Sequence, residues 1–234
     1  MGGRAHLTPE EYYGPDYGML VAIRNRLVGN IEAFILTHEA PDGERPVVYH
    51  QARIKSPESL DAKLARRGFV GSGYKEAVAA GMHDIVGARV VCAFVDDVYS
   101  VASWLMSCPD YELVETKDYI AYPKPNGYRS LHLILRIASG VGAGMLVEVQ
   151  LRTIAMDTWS TLEHKIKYKK DIPNEAMMRR ELKRCADEMA SVDLDMQALR
   201  DAIRTSSQFA EALEGAAQAA GDGERPQAGA AADI

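Results

Sequence analysis

Two carboxylates define the chemistry open to this chain. Glu148 lies inside the alternating run Leu146-Val147-Glu148-Val149-Gln150-Leu151-Arg152, and Asp84 stands at the start of the apolar run 84–94. A glutamate flanked by apolar residues must find a partner once its strand is covered. Two carboxylates brought together repel, so such a pair shares a metal or divides into acid and base roles. Taken alone, an aspartate at a strand end such as Asp84 is more often a turn former or cap than a catalytic group. Cations accompany the acids. Arg53 and Lys55 are two apart on an expected strand, and Lys63 and Arg67 are four apart on the helix after it, so each pair shares a face. Two such faces meeting at a turn suit phosphates, with guanidinium forks binding two oxygens and ammonium groups acting as point charges. Arg66, Arg89, Lys117, Lys124, Arg129 and Arg152 add to the cluster, although any one of them alone is an ordinary solvated charge. His83-Asp84 lacks the further His and acid residues that a hydrolase metal cage needs. The histidines form no zinc pattern, and there is no Walker-type glycine loop.

A β-hairpin must position Glu148. The basic loop Pro123-Lys124-Pro125-Asn126-Gly127-Tyr128-Arg129 leads into Ser130–Ile137, which alternates with a period of two. Ser139–Gly144 makes the turn, and the Glu148 run alternates again. One face is apolar (Leu131, Leu133, Leu135, Val147, Val149, Leu151), and the other carries Ser130, His132, Glu148, Gln150 and Arg152. Tyr128 has two readings: a stacking platform for a base beside cations, or an anchor tying the loop to the sheet.

The remaining elements frame that hairpin. Leu20, Ile23, Leu27, Ile31, Phe34 and Ile35 recur at threes and fours and predict an amphipathic helix over 16–38, ended by Pro41-Asp42-Gly43. A strand follows over 47–55. Ser56-Pro57-Glu58 then starts a helix with a hydroxyl cap, a proline at the first position and an early acid, and Gly68 stops it. Residues 69–81 are glycine-rich and expected to be loop. The run 84–94 suits an interior strand covered on both faces. Asp96-Asp97 opens a helix with Val98, Val101, Ala102 and Leu105 inward. An alternating strand over 111–120 and a helix over 153–169 complete the pattern. Beyond Pro173, Met178, Leu182, Cys185, Met189, Val192, Met196, Leu199 and Ile203 form a heptad seam. That seam is either a contact with another helix or a helix lying back on its own domain. The division expected is a flexible 1–15, a core of 16–172, a helical extension over 173–206 and a disordered Ala/Gly-rich 207–234.

Composition narrows the partners. A net charge of −6 offers no overall polycation, so a phosphate-binding surface has to be local, and general DNA or RNA affinity is disfavoured. No apolar run reaches the roughly 20 residues needed to span a bilayer. The first residues lack an apolar signal core, and Cys92, Cys108 and Cys185 have no metal or redox spacing; both features fit a cytoplasmic protein.

Several ordered motifs together resemble the synthetase domain of the RelA/SpoT family, and the chain length is similar to its stand-alone small alarmone synthetases. The motifs are Arg53-Ile54-Lys55-Ser56-Pro57-Glu58-Ser59, Lys63–Gly68, Asp84–Arg89, Lys124–His132, Val147–Thr153 and Trp159–Lys165, spread over roughly residues 20–205. The resemblance implies an α+β, nucleotidyltransferase-like mixed sheet flanked by helices. It also implies transfer of the β,γ-pyrophosphate of ATP to the 3′-hydroxyl of GDP or GTP, releasing AMP. Carried over residue by residue, Asp84 holds Mg²⁺, and Glu148 helps to hold it or takes the hydroxyl proton. Arg53 and Arg89 sandwich adenine, and Lys55, Lys63 and Arg67 bind the ATP phosphates. Tyr128 stacks on guanine, while Lys124, Asn126, Arg129, His132 and Gln150 place the acceptor. The resemblance further implies a homotetramer formed through the terminal helices, and synthesis without the hydrolase half of bifunctional relatives. Some members bind an alarmone at a central cleft, where the segment before Arg53 usually carries Thr-Gly. Here it reads Tyr49-His50-Gln51-Ala52, which leaves allosteric alarmone or RNA binding open. Two rival readings remain: a non-catalytic nucleotide- or RNA-binding regulator, and a toxic relative that pyrophosphorylates tRNA or adenine nucleotides.

Overall fold

Five strands form one mixed sheet, and their register puts the chemically active side chains on a single face. The computed structural model describes residues 7–39, 45–69, 73–167 and 174–222. The strands are β1 (Val47–Ile54), β2 (Val86–Cys92), β3 (Tyr111–Asp118), β4 (Leu131–Ile137) and β5 (Leu146–Thr153), in the order β1-β2-β5-β4-β3. Only the β2–β5 pairing is parallel; the other three are antiparallel. The expected mixed sheet flanked by helices is what the chain forms.

Helices α2 (Tyr17–Thr37) and α5 (Val95–Ser107) cover the apolar face. In α2, Leu20, Ile23, Leu27, Ile31 and Phe34 are each at most 1% exposed, and at roughly 1.5–3 kcal/mol per buried side chain this stripe is a main support of the core. They meet Ala88, Val90, Leu133, Leu135, Val147 and Val149 from the sheet in one cluster. In α5, Val98, Val101, Ala102 and Leu105 are the buried residues, and Asp97 accepts a hydrogen bond from the Phe94 amide to cap the first turn. Helix α3 (Pro57–Arg66) starts where Ser56 accepts from the Ser59 amide, and Gly68 beyond its end adopts φ +86°.

Three expectations need correction. The segment read as flexible contains a short capped helix, α1 (Pro9–Tyr13), with Tyr13 3% exposed and its hydroxyl donating to the Lys55 carbonyl at 2.6 Å. The glycine-rich stretch read as loop contains α4 (Tyr74–Ala79), closed by Glu76 accepting from the Gly73 amide and held down by buried Tyr74 and Ala77. The edge strand β3 does not alternate cleanly, because its register slips between Leu113 and Glu115 and leaves Leu113 and Val114 exposed. The Pro41-Asp42-Gly43 stop lies outside the described residues.

Helix α6 (Ile154–Lys167) follows β5 directly, and α7 (Glu175–Asp222) is the long C-terminal helix. Its helical backbone runs on to Asp222, so the stretch expected to be disordered from residue 207 is helical as far as that residue, in keeping with the high helix propensity of its alanines. The chain divides into two compact units, residues 1–193 and 194–234. In the first, Met178, Leu182, Cys185 and Met189 of the heptad seam pack with Trp159 and Tyr128. In the second, Met196, Leu199 and Ile203 are 52–66% exposed. The two readings of the seam therefore apply to different stretches of it: the early residues lie back on their own domain, and the late ones are uncovered.

Candidate active site

Ladder register assembles the site in rows. Side chains directly opposite across neighbouring strands point the same way. One row reads Arg53 (β1), Gly87 (β2), Glu148 (β5) and Ile134 (β4); the next reads Gln51, Arg89, Gln150 and His132. A third contains Tyr49, Val91 and Arg152. Gly87 gives the first row an open floor, since a Cβ there would stand 3.1 Å from the Glu148 carbonyl oxygen. Above that floor lies a solvent-open trough of about 510 Å³, lined by Gln51, Arg53, Asp84, Gly87, Ala88, Arg89, Glu148 and Gln150. The two carboxylates thus face one space, with a guanidinium from each of β1 and β2 beside them.

Asp84 sits just ahead of β2. Its Oδ2 accepts from both Lys55 and Lys63 Nζ at 2.7 Å, while its Oδ1 is buried without a hydrogen-bond partner. Burial alone would raise the carboxyl, but the two ammonium groups override it and hold Asp84 below the usual range. A buried carboxylate oxygen without a partner, on a residue that shares the trough lining with Glu148, suits a hard cation. Among the described residues no cluster of three metal-binding side chains exists. Mg²⁺ commonly takes one or two carboxylates and fills its other positions with substrate phosphates and water, so Asp84 and Glu148 fit it.

Glu148 is held by neighbours on both oxygens. His132 Nδ1 approaches Oε1 at 3.3 Å, His83 Nε2 lies 3.5 Å from the same atom, and Gln150 donates to Oε2 at 3.0 Å. Burial pushes the Glu148 carboxyl up, and these donors outweigh it, keeping the group ionised far below the usual carboxylate range. Burial moves His132 the other way, below its ordinary value, despite the nearby carboxylate. The hydrogen bonds specify its tautomer. Arg152 Nη2 donates to the Tyr128 hydroxyl at 2.8 Å, so that hydroxyl gives its one proton to His132 Nε2, also at 2.8 Å, and Nδ1–H faces Glu148.

Arg152 is the hub of this buried network. It is 3% exposed and also donates to Gln150 Oε1 at 2.9 Å, to Ser130 Oγ at 3.4 Å and to Asp157 Oδ1 at 2.9 Å. The polar face of the hairpin is consequently not a solvated surface. Ser130 is fully buried and His132 is 7% exposed; Tyr128, whose ring meets His132, packs in turn with Trp159 of α6 and with Leu182 and Ala186 of α7.

Tyr128 anchors its loop. Its hydroxyl bonds to the sheet, its ring meets Tyr119 and His132 edge-on, and Lys124 Nζ lies 4.4 Å from the Tyr119 ring centre and 4.9 Å from that of Tyr128. Three of the expected site residues serve the loop's shape or lie apart from the trough lining. Asn126 donates to Glu163 and accepts from the Tyr128 amide, both at 3.2 Å. Arg129 donates to the Ala186 carbonyl at 3.2 Å and to Asp187 at 3.0 Å, so it bolts the loop to α7. Arg67 is exposed at the end of α3. Arg53, Asp84, Arg89, Glu148 and Gln150 line the trough; Lys55 and Lys63 join it through Asp84, and His132 and Tyr128 join it through Glu148. The sequence reading did not assign Gln51, Tyr49 or Asp157 to the site, and weighed His83 only as half of a metal pair. Gln51 shares the alternation of Arg53, which was a usable signal; the others are single residues whose partners only the assembled sheet supplies.

Comparison with known proteins agrees with this geometry. Residues 52–173 match the family described as the region found in RelA / SpoT proteins. The chain is 39% identical over 168 residues to the GTP pyrophosphokinase YwaC of Bacillus subtilis, covering 69% of this chain and 77% of that relative. It superposes on the crystal structure of small alarmone synthetase 1 from Bacillus subtilis bound to its product pppGpp with a TM-score of 0.68 and 29% identity, over 79% of this chain and 94% of that one. The same synthetase bound to AMPCPP gives a TM-score of 0.62 and 26% identity, over 82% and 97% of the two chains. With its matched region containing both acids, Arg53, Arg89 and the loop that carries Tyr128, the chain belongs to the RelA/SpoT family.

Proposed function

We infer that this protein is a (p)ppGpp synthetase, which transfers the β,γ-pyrophosphate of ATP to the 3′-hydroxyl of GDP or GTP and releases AMP. The observation that carries the reading is the pair Asp84 and Glu148 lining one trough between Arg53 and Arg89, with Asp84 Oδ1 buried and unpartnered. Relatives named as GTP pyrophosphokinases, and neighbours holding pppGpp or AMPCPP, support the same chemistry.

The donor nucleotide lies in the trough, its base between the guanidinium planes of Arg53 and Arg89, a stacking that lysine cannot supply. Lys55 and Lys63 face its phosphates as point charges, while Asp84 keeps their ammonium groups from repelling one another. Arg67 reaches the phosphate tail from the end of α3. The acceptor guanine stacks on the Tyr128 ring, whose hydroxyl is fixed from behind by Arg152 and His132; Lys124, Asn126 and Arg129 shape the loop around it. Glu148 then accepts a hydrogen bond from the acceptor 3′-hydroxyl and aims its oxygen at the β-phosphorus. The new bond forms as the bond from the β-phosphorus to the bridging oxygen of AMP breaks, and the hydroxyl proton passes to Glu148 Oε1, whose existing contacts are its longest. A strongly ionised carboxylate is a weak base, which suits a loose phosphoryl transfer in which positioning and charge neutralisation dominate. Mg²⁺ held by Asp84 and Glu148 supplies that neutralisation on the phosphate oxygens when bound. The uncovered residues Met196, Leu199 and Ile203 suit assembly into a homotetramer in the cytoplasm. Among the described residues no helix is long and apolar enough to cross a membrane.

Purified protein incubated with Mg²⁺, ATP and GDP or GTP is expected to release AMP and a more anionic guanine nucleotide. Glu148→Gln is expected to abolish this while leaving AMPCPP binding intact. Wild-type turnover by that variant, or a wild type that modifies tRNA or ADP and not guanine nucleotides, would overturn the reading.

A further inference from the structure

We propose that Asp157 is a positioning residue that fixes Arg89 at the donor trough and, through Arg152, joins it to the Tyr128 loop. This rests on the reading of the trough as the donor-nucleotide subsite.

Asp157 is on the first turn of α6, is 6% exposed, and gathers donors from three strands. Its Oδ1 accepts from Arg152 Nη1 at 2.9 Å and lies 3.2 Å from Arg89 Nη1, while its Oδ2 accepts a short hydrogen bond from the Tyr49 hydroxyl. Tyr49, Arg89 and Arg152 occupy β1, β2 and β5 on the same sheet face, so one carboxylate ties together the three strands that form the floor.

Arg152 alone does not explain the arrangement. A carboxylate serving only as counter-charge to a buried guanidinium needs one partner, yet Asp157 also holds Arg89, whose side chain is 36% exposed and lines the trough. Arg89 Nε is buried with no hydrogen-bond partner, and the ion pair of Nη1 with Asp157 at 3.2 Å is the polar contact that holds its guanidinium. A planar cation recognises a base face only when its plane is set, and fixing it in advance lowers the ordering cost of binding. On the other side, Arg152 Nη2 holds the Tyr128 hydroxyl. The same carboxylate therefore lies between the donor clamp and the loop assigned to the acceptor.

The test is a double-mutant cycle read by calorimetric titration with AMPCPP, using wild type, Asp157→Asn, Arg89→Ala and the double variant, with melting temperatures measured alongside. Asp157→Asn is expected to weaken AMPCPP binding about tenfold, the scale of one hydrogen bond to a charged group. In the Arg89→Ala background it is expected to change binding less than about twofold, because its effect acts through Arg89. Tyr49→Phe removes one donor from a half-exposed residue and keeps the test open should Asp157→Asn fail to fold. It is expected to weaken AMPCPP binding measurably in wild type and to have no effect beside Arg89→Ala. Effects that multiply independently of Arg89, or a lowered melting temperature with unchanged AMPCPP affinity, would reduce Asp157 to a fold-stabilising group and overturn the inference. A wild type that does not bind AMPCPP overturns the donor-site reading first, and the inference with it.

Discussion

Gly127→Ala is the substitution whose outcome the geometry specifies most closely. Gly127 has φ +91°, where a side chain is strained, and a Cβ built there would stand 2.6 Å from Ala186 Cβ and 3.2 Å from Lys183 Cα on α7. The left-handed backbone costs roughly 1–2 kcal/mol for a non-glycine residue. Carbon atoms settle at about 3.5–4.0 Å, so the loop and helix must part by about 1 Å; overpacking of this kind costs about 1–3 kcal/mol. Together these lower the melting temperature by on the order of 10 °C for a chain of this size. The movement strains the Arg129 bonds to Ala186 and Asp187 and shifts Tyr128. A displacement near 1 Å can cost about 10²-fold in rate, and here it is expected in kcat/KM for GDP, with the KM for ATP little changed. Ala186→Gly in the same chain removes the 2.6 Å collision but not the backbone strain, so it is expected to restore acceptor kinetics in large part and stability only in part. Steady-state kinetics with each nucleotide varied, together with thermal melts, measure both. Unchanged acceptor kinetics in Gly127→Ala, or no recovery with Ala186→Gly, would refute the argument that α7 holds this loop by contact.

Two further outcomes follow from partly buried carboxylates. Asp84→Asn preserves shape but leaves Lys55 and Lys63 without their shared counter-charge; turnover is expected to fall by about 10² or more, and raising Mg²⁺ across a wide range should not restore it. Asp193 accepts from Thr153 Oγ1 at 2.5 Å, and burial raises its carboxyl above the ordinary value, partly offset by that hydroxyl. A raised carboxyl binds its proton more tightly folded than unfolded, so its ionisation destabilises the fold above the raised value, and the penalty disappears as pH falls towards the unfolded value near 4. Asp193→Asn is therefore expected to melt higher than wild type at pH 7–8, with the gain shrinking towards pH 4; a gain independent of pH would contradict this.

Local periodicity made much of this molecule legible. The α2 stripe and the β4–β5 alternation could be read because each pattern repeats within one element. The period of two also placed His132, Glu148, Gln150 and Arg152 on one face before any pairing was known. What periodicity cannot reveal is what lies over a face. Ser130, His132 and Arg152 were placed together on the polar face, but their burial, and the packing of Trp159, Leu182 and Ala186 on Tyr128 beside them, could not be read from it. Nor could the loop's sequence show that Arg129 bonds to Ala186 and Asp187, which lie more than fifty residues away. Helix α4 was hidden by flanking glycines that propensity counts as breakers, although Glu76 sits at the capping position. Asp157 gave no signal, because its three donors come from strands that adjoin only in the finished sheet.

The parallel register of β2 and β5 has a bearing on synthesis of the chain itself. Gly87 finds Glu148 only across that ladder, and β5 is the last of the five strands to be made. A growing polypeptide that has emerged as far as residue 145 already contains β1, β2 and Asp84, but neither Glu148 nor the middle strand that joins the two halves of the sheet. A chain cut short before residue 146 thus lacks one of its two acids and the strand that joins β1-β2 to β4-β3, so no partial product of translation carries the whole trough.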